Sequence, residues 1–304
     1  MMQARKKRLR RVELAVPASN ERMMAKAAAS KADFVFLDLE DAVAPKAKVE
    51  ARAKAVEALK GLDWSGKTRC VRINDLGTEW AYEDIITVVE GAHQHLDVIM
   101  IPKVMRGSDV LFVDTLLSQL EKKLGINRRI GLEVLIEEVE AMINVEEIAR
   151  SSPRLEALIY GVGDFSASQG IDLGAVYGPN GYPGDIWHYG RQKITIAARA
   201  AGIDAIDGPF GNFKDAATYI EECRRAKLIG MVGKWAIHPA QIELAIGAFS
   251  PSQADVDAAR AMTKAYREAE AQGLGAVTYN GEMIDAATIR LVKNVIDKAD
   301  LIGM

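Results

Sequence analysis

The stretch "VFLDLEDAV", residues 35–43, decides how this chain is read. It begins as an apolar strand and then places Asp38, Glu40 and Asp41 within four positions. Carboxylates are rarely left buried without a partner. A strand that is apolar along its length and acidic at its C-terminal end points to a fold that gathers such ends around one site.

The pattern recurs along the chain. "VELAVP" (12–17), "FVFLDLE" (34–40), "CVRIN" (70–74), "DVIMIPKV" (97–104), "IGLEVLIE" (130–137), "LEALIYGVGD" (155–164), "GIDAIDG" (202–208) and "MVGKWAIHP" (231–239) read as strands. Amphipathic stretches at 21–31, 47–60, 108–124, 138–150, 188–201 and 214–227 read as helices between them. Eight strands, each followed by a helix, predict an α/β fold of the TIM (β/α)8 barrel type over residues 12–250. An open doubly wound sheet is the alternative, but it seldom needs eight evenly spaced units. Residues 161–190 hold eight glycines, with "GPNGYPGD" at the centre, and read as a long loop after strand six. Residues 251–304 read as an appended extension: a helix, a short strand "AVTYN", and a second helix from Asp285.

Composition bounds the class. The chain has 304 residues and a formal net charge of -3, which suits a globular protein. No apolar run reaches the roughly 18 residues of a membrane span. The basic start is followed by no apolar signal region, and Cys70 and Cys223 lack metal-type spacing. A reducing cytoplasm is the expected location. "RKKRLRR" (5–11) is six-sevenths basic and reads as a solvated tail over residues 1–11. Attraction for a phosphate-bearing ligand is another reading of it. Nucleic-acid binding is not expected, because the rest of the chain is slightly acidic and no aromatic residues interleave the run.

Polar residues interrupt the strands at their C-terminal ends: Glu40-Asp41, Arg72 with Asn74, Lys103, Glu137, Asp164, Asp207 and His238. A barrel collects these ends into one rim. Glu137 and Asp164 come from neighbouring strands, so one carboxyl would rise in pKa unless a cation sat between them. A hard divalent ion such as Mg²⁺ suits two carboxylates with positions left for substrate oxygens. An acid/base pair is the competing reading. Glu133 shares the face of Leu135 and Glu137 by alternation but lies deeper, as a buried, paired residue. Arg72 suits a keto-acid carboxylate or a developing enolate oxygen, and a salt bridge to Glu40 or Asp41 is compatible with that role. Glu40 and Asp41 are expected to orient Arg72, Lys103 and metal-bound water. "GVGDFS" (161–166) lacks the third glycine of a dinucleotide loop, and Asp164 would repel a pyrophosphate. His238, in apolar "WAIHPAQ", reads as structural.

"ELAVPASN" (13–20), "FLDLEDAVAPKAK" (36–48), "VRIN" (71–74), "IPKV" (101–104), "LEVLIE" (132–137), "GVGDFSAS" (161–168), "IDGPFGNFKD" (206–215), "GKWAIHPAQI" (233–242) and "NGEMID" (280–285) resemble the citrate lyase β-subunit/HpcH-HpaI aldolase superfamily, most of all its malyl-CoA lyase branch. The resemblance implies a TIM barrel whose C-terminal extension caps a neighbouring subunit, in a homotrimer or hexamer. It implies that Glu137 and Asp164 ligate Mg²⁺, with Mn²⁺ as a substitute, and that Arg72 polarises the keto acid and the thioester enolate. Asp285 matches the extension aspartate that acts on the thioester α-carbon from the adjacent protomer. Asn20, Ile237 and Pro239 would line the CoA groove, and the N-terminal arginines would meet CoA phosphates. Asn280 departs from the family, where many members have Asp. The implied activity is that of an oxo-acid lyase. It cleaves a 3-hydroxyacyl-CoA of the malyl-, β-methylmalyl- or citramalyl-CoA type to glyoxylate or a related α-keto acid plus acetyl-CoA or propionyl-CoA. Alternatives are a citryl-thioester lyase subunit within a complex, a malyl-CoA thioesterase, an aldolase of free hydroxy acids, and a non-catalytic CoA- or metal-binding protein.

Overall fold

Period-two alternation decides which side chains fill the interior. The computed structural model describes residues 6–172, 174 and 184–304. Eight strands pair in parallel in chain order: β1 (Val12–Pro17), β2 (Phe34–Asp38), β3 (Thr68–Arg72), β4 (Val98–Ile101), β5 (Gly131–Ile136), β6 (Leu155–Tyr160), β7 (Asp204–Asp207) and β8 (Gly233–Ala236). β8 pairs back onto β1 and closes the expected barrel. Phe34, Phe36, Cys70, Met100, Leu135 and Trp235 belong to one buried apolar cluster. Val35, Leu37, Val71 and Ile99 alternate with members of that cluster and are also buried, which is why the strands read as continuous apolar runs.

Several boundaries differ from the sequence reading. β2 ends at Asp38, so Glu40 and Asp41 lie on the turn beyond it. β6 ends at Tyr160 rather than at Asp164, which sits instead in the first turn of a helix, Val162–Ser168. The central "GPNGYPGD" segment lies outside the described residues except for Gly184 and Asp185. Asp207 is buried outside the rim: it pairs with Arg191 at 2.8 Å and with Lys234. Its neighbour Ile206 takes the inner face, so alternation turns Asp207 outward.

The basic run is solvated only in part: Lys6 and Lys7 are exposed, but the arginines that follow are not. Arg8 and Arg10 are buried at the N-terminal end of the barrel. Arg10 reaches Glu133 at 2.7 Å, Glu156 at 2.6 Å and Asp204 at 3.0 Å. Arg8 pairs with Glu156 at 2.6 Å, and Arg11 with Asp33 at 2.7 Å. These arginines sit at the starts of strands, the opposite end from Glu137, so they cannot serve CoA phosphates at the rim. Acids from distant strands neutralise a run that looks uncompensated along the chain.

This plug holds more acid than Arg10 can balance. Glu13 Oε1 and Glu133 Oε2 are buried without a hydrogen bond among the described residues. Burial, above all, pushes Glu133 from 4.5 up to about 7, against the pull of Arg10. Burial and the charge of Glu133 likewise push Glu13 well up. Raised carboxyls stabilise the fold fully below their unfolded pKa, and that contribution is lost as pH rises through the folded value. Stability is therefore expected to fall from about pH 5 to pH 8. Glu13→Gln keeps an acceptor for Trp235 Nε1, now 3.0 Å from the carboxylate, and should clearly flatten that fall. Urea denaturation across this pH range measures it. Equal slopes in the two proteins would exclude the raised Glu13 carboxyl as a cause of the fall.

The described chain divides into two compact units, residues 1–248 and 249–304. In the second, a helix Gln253–Ala271 is capped by Ser252, and a hairpin joins β9 (Ala276–Tyr279) to β10 (Glu282–Asp285). β10 was not anticipated. Its turn is the pair Asn280-Gly281, with φ of 50° and 84°. A two-residue hairpin requires positive φ at both positions, which Asn and Gly tolerate. That explains Asn at position 280 without any catalytic argument. No described helix is long and apolar enough to cross a membrane.

Candidate active site

β2 and β3 lie side by side with Asp38 in register with Arg72. Arg72 Nε donates to Asp38 Oδ1 at 2.8 Å, and Nη2 donates to Oδ2 at 2.6 Å. Nη1 stands 3.0 Å from Glu40 Oε2. The guanidinium carbon lies 5.9 Å from the Phe36 ring centroid and 5.6 Å from that of Trp235, so the group rests on an aromatic floor. Burial opposes its charge, but Asp38 and Glu40 more than offset that and keep it protonated. The result is a fixed, charged fork at the C-terminal rim.

Lys103 extends the array. Its Nζ lies 2.6 Å from Glu40 Oε1 and 3.5 Å from Asp41 Oδ1. Its backbone is left-handed, with φ of 48°, and its N–H donates to Glu137 Oε1 at 2.8 Å. One residue thus serves two acids, one through its side chain and one through its main chain. Beneath the array, Lys48 Nζ donates to the carbonyls of Leu39 and Glu40 at 3.0 and 2.9 Å and to Asn74 Oδ1. Asn74 in turn donates to Asp84 at 2.7 Å. These bonds hold the turn that carries Glu40.

Glu137 follows β5 and is almost fully buried, while Asp164 is exposed. Burial pushes the Glu137 carboxyl up to about 8; Asp164 and Glu40 add to this, and Lys103 and Arg72 oppose it. A buried carboxylate with one amide donor and a second carboxylate nearby is an oxygen donor set short of positive charge. A hard divalent cation fits that set, and its binding would reverse the shift. Among the described residues no cluster of three or more acidic, His or Cys ligands exists, so water and substrate would have to complete the shell.

Gly161 makes room for this carboxylate. A Cβ there would stand 2.5 Å from both Cβ and Oε2 of Glu137. Its φ of -79° suits any residue, so the constraint is the close approach alone. Gly161→Ala is expected to displace Glu137 and weaken metal binding by about 10-fold or more. Titrating the metal against thermal stability measures this. An unchanged midpoint would remove Glu137 from the metal shell.

The remaining expected residues fall in two places. Asn20 follows β1, and Ile237 and Pro239 follow β8, its neighbour; all three are exposed. Asn20 Oδ1 caps the helix Glu21–Ala28 through Met23 N at 3.0 Å. His238 caps the turn Pro239–Gln241 and stacks on Phe213 at 4.3 Å, a structural role. Asp285 belongs to the second unit. It caps the helix Ala286–Ile302 by accepting from Thr288 N at 2.9 Å, and its bonds to Thr288 hold the carboxyl below its ordinary range. Asp38 and the Phe36/Trp235 floor were missed from sequence. Alternation puts Asp38 on Glu40's face, but only the strand register sets it opposite Arg72.

Residues 11–239 match the model of the HpcH/HpaI aldolase/citrate lyase family. An L-malyl-CoA/beta-methylmalyl-CoA lyase of Cereibacter sphaeroides is 42% identical over 303 residues, covering 96% of this chain and 95% of that protein. A (3S)-malyl-CoA thioesterase of the same organism is 34% identical over 290 residues, covering 95% and 94%. A solved structure of CitE from Mycobacterium tuberculosis with magnesium, acetoacetate and coenzyme A is 28% identical. It superposes with a TM-score of 0.75 over 95% of this chain and 97% of that one.

Proposed function

The chain belongs to the HpcH/HpaI aldolase/citrate lyase family, and from that premise we infer its reaction. It is a carbon–carbon lyase that reversibly cleaves a malyl-CoA-type 3-hydroxyacyl thioester to glyoxylate and acetyl-CoA, or to propionyl-CoA from the methylated substrate. The observation that carries this reading is the Asp38–Arg72–Glu40–Lys103–Glu137 array at the rim.

Magnesium held by Glu137 and Asp164 would neutralise charge on the substrate's hydroxyl and carboxylate oxygens. Arg72 faces the oxygen that gains charge when the bond breaks and its electrons enter the thioester. Asp38 and Glu40 keep its fork from turning, and Glu40 also holds Lys103 against the same site. Asp41 adds a weaker contact to Lys103. Asp285, from a neighbouring protomer of a homotrimer or hexamer, delivers the proton to the new enolate carbon, and in condensation removes it. Asn20, Ile237 and Pro239 line the groove for CoA.

Glyoxylate release from malyl-CoA, with free thiol measured alongside it, tests the reading. Glyoxylate without thiol is expected, and EDTA should abolish it. Thiol release without glyoxylate would favour the thioesterase, the activity for which one relative is named. Asp285→Ala should retain thioester binding and lose turnover by about 10²-fold or more. Wild-type turnover in that variant would exclude Asp285 as the proton carrier.

A further inference from the structure

The N-terminal end of the barrel carries a second concentration of charge. A cleft of about 400 Å³ opens there beside the starts of β3, β5 and β6. Lys6, Arg8, Arg69, Arg128, Arg129 and Arg154 line it, against only two acids, Asp97 and Glu156.

Pairing within the cleft is uneven. Arg8 is met by Glu156 at 2.6 Å, Arg69 by Asp97 at 2.9 Å, and Arg154 by Glu121 at 2.6 Å and by Asp114. Lys6, Arg128 and Arg129 make no ion pair among the described residues. Arg128 is nonetheless held in place, because its Nη2 donates to the carbonyls of His93 and Leu96. Its Nε and Nη1 have no partner among the described residues. Burial is the main cause that pushes its pKa down; Asp97 and, more weakly, Glu121 pull it up, while the charges of Arg69 and Arg8 push it further down. An anion in the cleft would relieve that repulsion.

We propose that this cleft binds a small polyphosphate, the di- or triphosphate group of a nucleotide or inorganic pyrophosphate. Three unpaired cations need an anion of more than one charge, and guanidinium forks match phosphate oxygens. The volume is that of a small-ligand pocket. No aromatic side chain lines it, so it lacks the stacking platform of a single-stranded nucleic-acid site. It lies at the opposite strand ends from Arg72, so its occupant does not compete with the thioester.

Calorimetric titration of the full chain with pyrophosphate, and separately with ADP, tests the proposal. One site per chain is expected. Tighter binding of ADP would identify a nucleotide, and equal binding the phosphate group alone; both support the site. Arg128→Ala and Arg129→Ala should each weaken binding about 10-fold or more, with the KM for malyl-CoA unchanged. Arg129→Gln carries the test if Arg128→Ala does not fold. Absence of binding, equal affinity in the variants, or tighter binding of a DNA oligonucleotide than of pyrophosphate would each overturn it.

Discussion

Arg72→Ala is expected to lower lyase turnover by about 10³-fold or more, a loss in the range of removing a preorganised donor at a developing oxyanion. Arg72→Lys should recover little. A lysine carries the charge but cannot span both oxygens of Asp38 while also reaching Glu40, and it cannot stack on Phe36 and Trp235 as a planar group does. Arg72→Ala also leaves Asp38 buried without its cation and Glu40 with Lys103 alone. Breaking such a pair costs about 3–5 kcal/mol, so the variant should melt well below the wild type. Asp38→Asn separates the two effects. It keeps the shape and one acceptor and should retain most of the stability, but it loosens the fork and lowers turnover. Measured kcat and melting temperature for the three variants decide the matter. Near wild-type kcat in Arg72→Lys would show that charge alone suffices and that the bidentate geometry is incidental.

Glu137→Gln is the second large effect. The amide oxygen can still accept from Lys103 N, so the turn should remain intact. What is lost is the negative charge opposite Asp164. A metal that polarises substrate oxygens contributes several kcal/mol, so turnover should fall by about 10³-fold. A readout independent of turnover is available. Magnesium at about 100 times its Kd stabilises the wild type by about 2.7 kcal/mol, a rise of several degrees in melting temperature. Glu137→Gln should show almost no rise. Asp164→Asn should lose part of it, because Asp164 is exposed and can be replaced by water. An undiminished rise in Glu137→Gln would place the metal elsewhere.

Much of the site was legible because catalytic chemistry and barrel topology both act on strand ends. Glu137, Arg72 and Lys103 each interrupt an apolar run at its C-terminal end, and that interruption is visible in one dimension. Asp38 was not legible as Arg72's partner. Glu40 and Asp41 are the more conspicuous acids, and only the β2–β3 register prefers Asp38. Asp207 failed in the opposite sense. It looks like a rim residue by position, yet alternation turns it toward Lys234 and Arg191. The N-terminal arginines misled for a related reason. A basic run reads as solvated when its acids lie on other strands, as Glu133, Glu156 and Asp204 do.

The sequence alone determined the eight-unit barrel, because each strand's hydrophobic period and each helix's amphipathic period are local properties of consecutive residues. It also placed Arg72, Lys103 and Glu137 at the rim. Tertiary structure alone decided which of those residues pair. It set Asp38 against Arg72, divided Lys103 between Glu40 and Glu137, and buried Arg8 and Arg10 among distant acids. Pairing depends on strand register and on screening by burial, and both arise only when segments far apart in the chain are brought together.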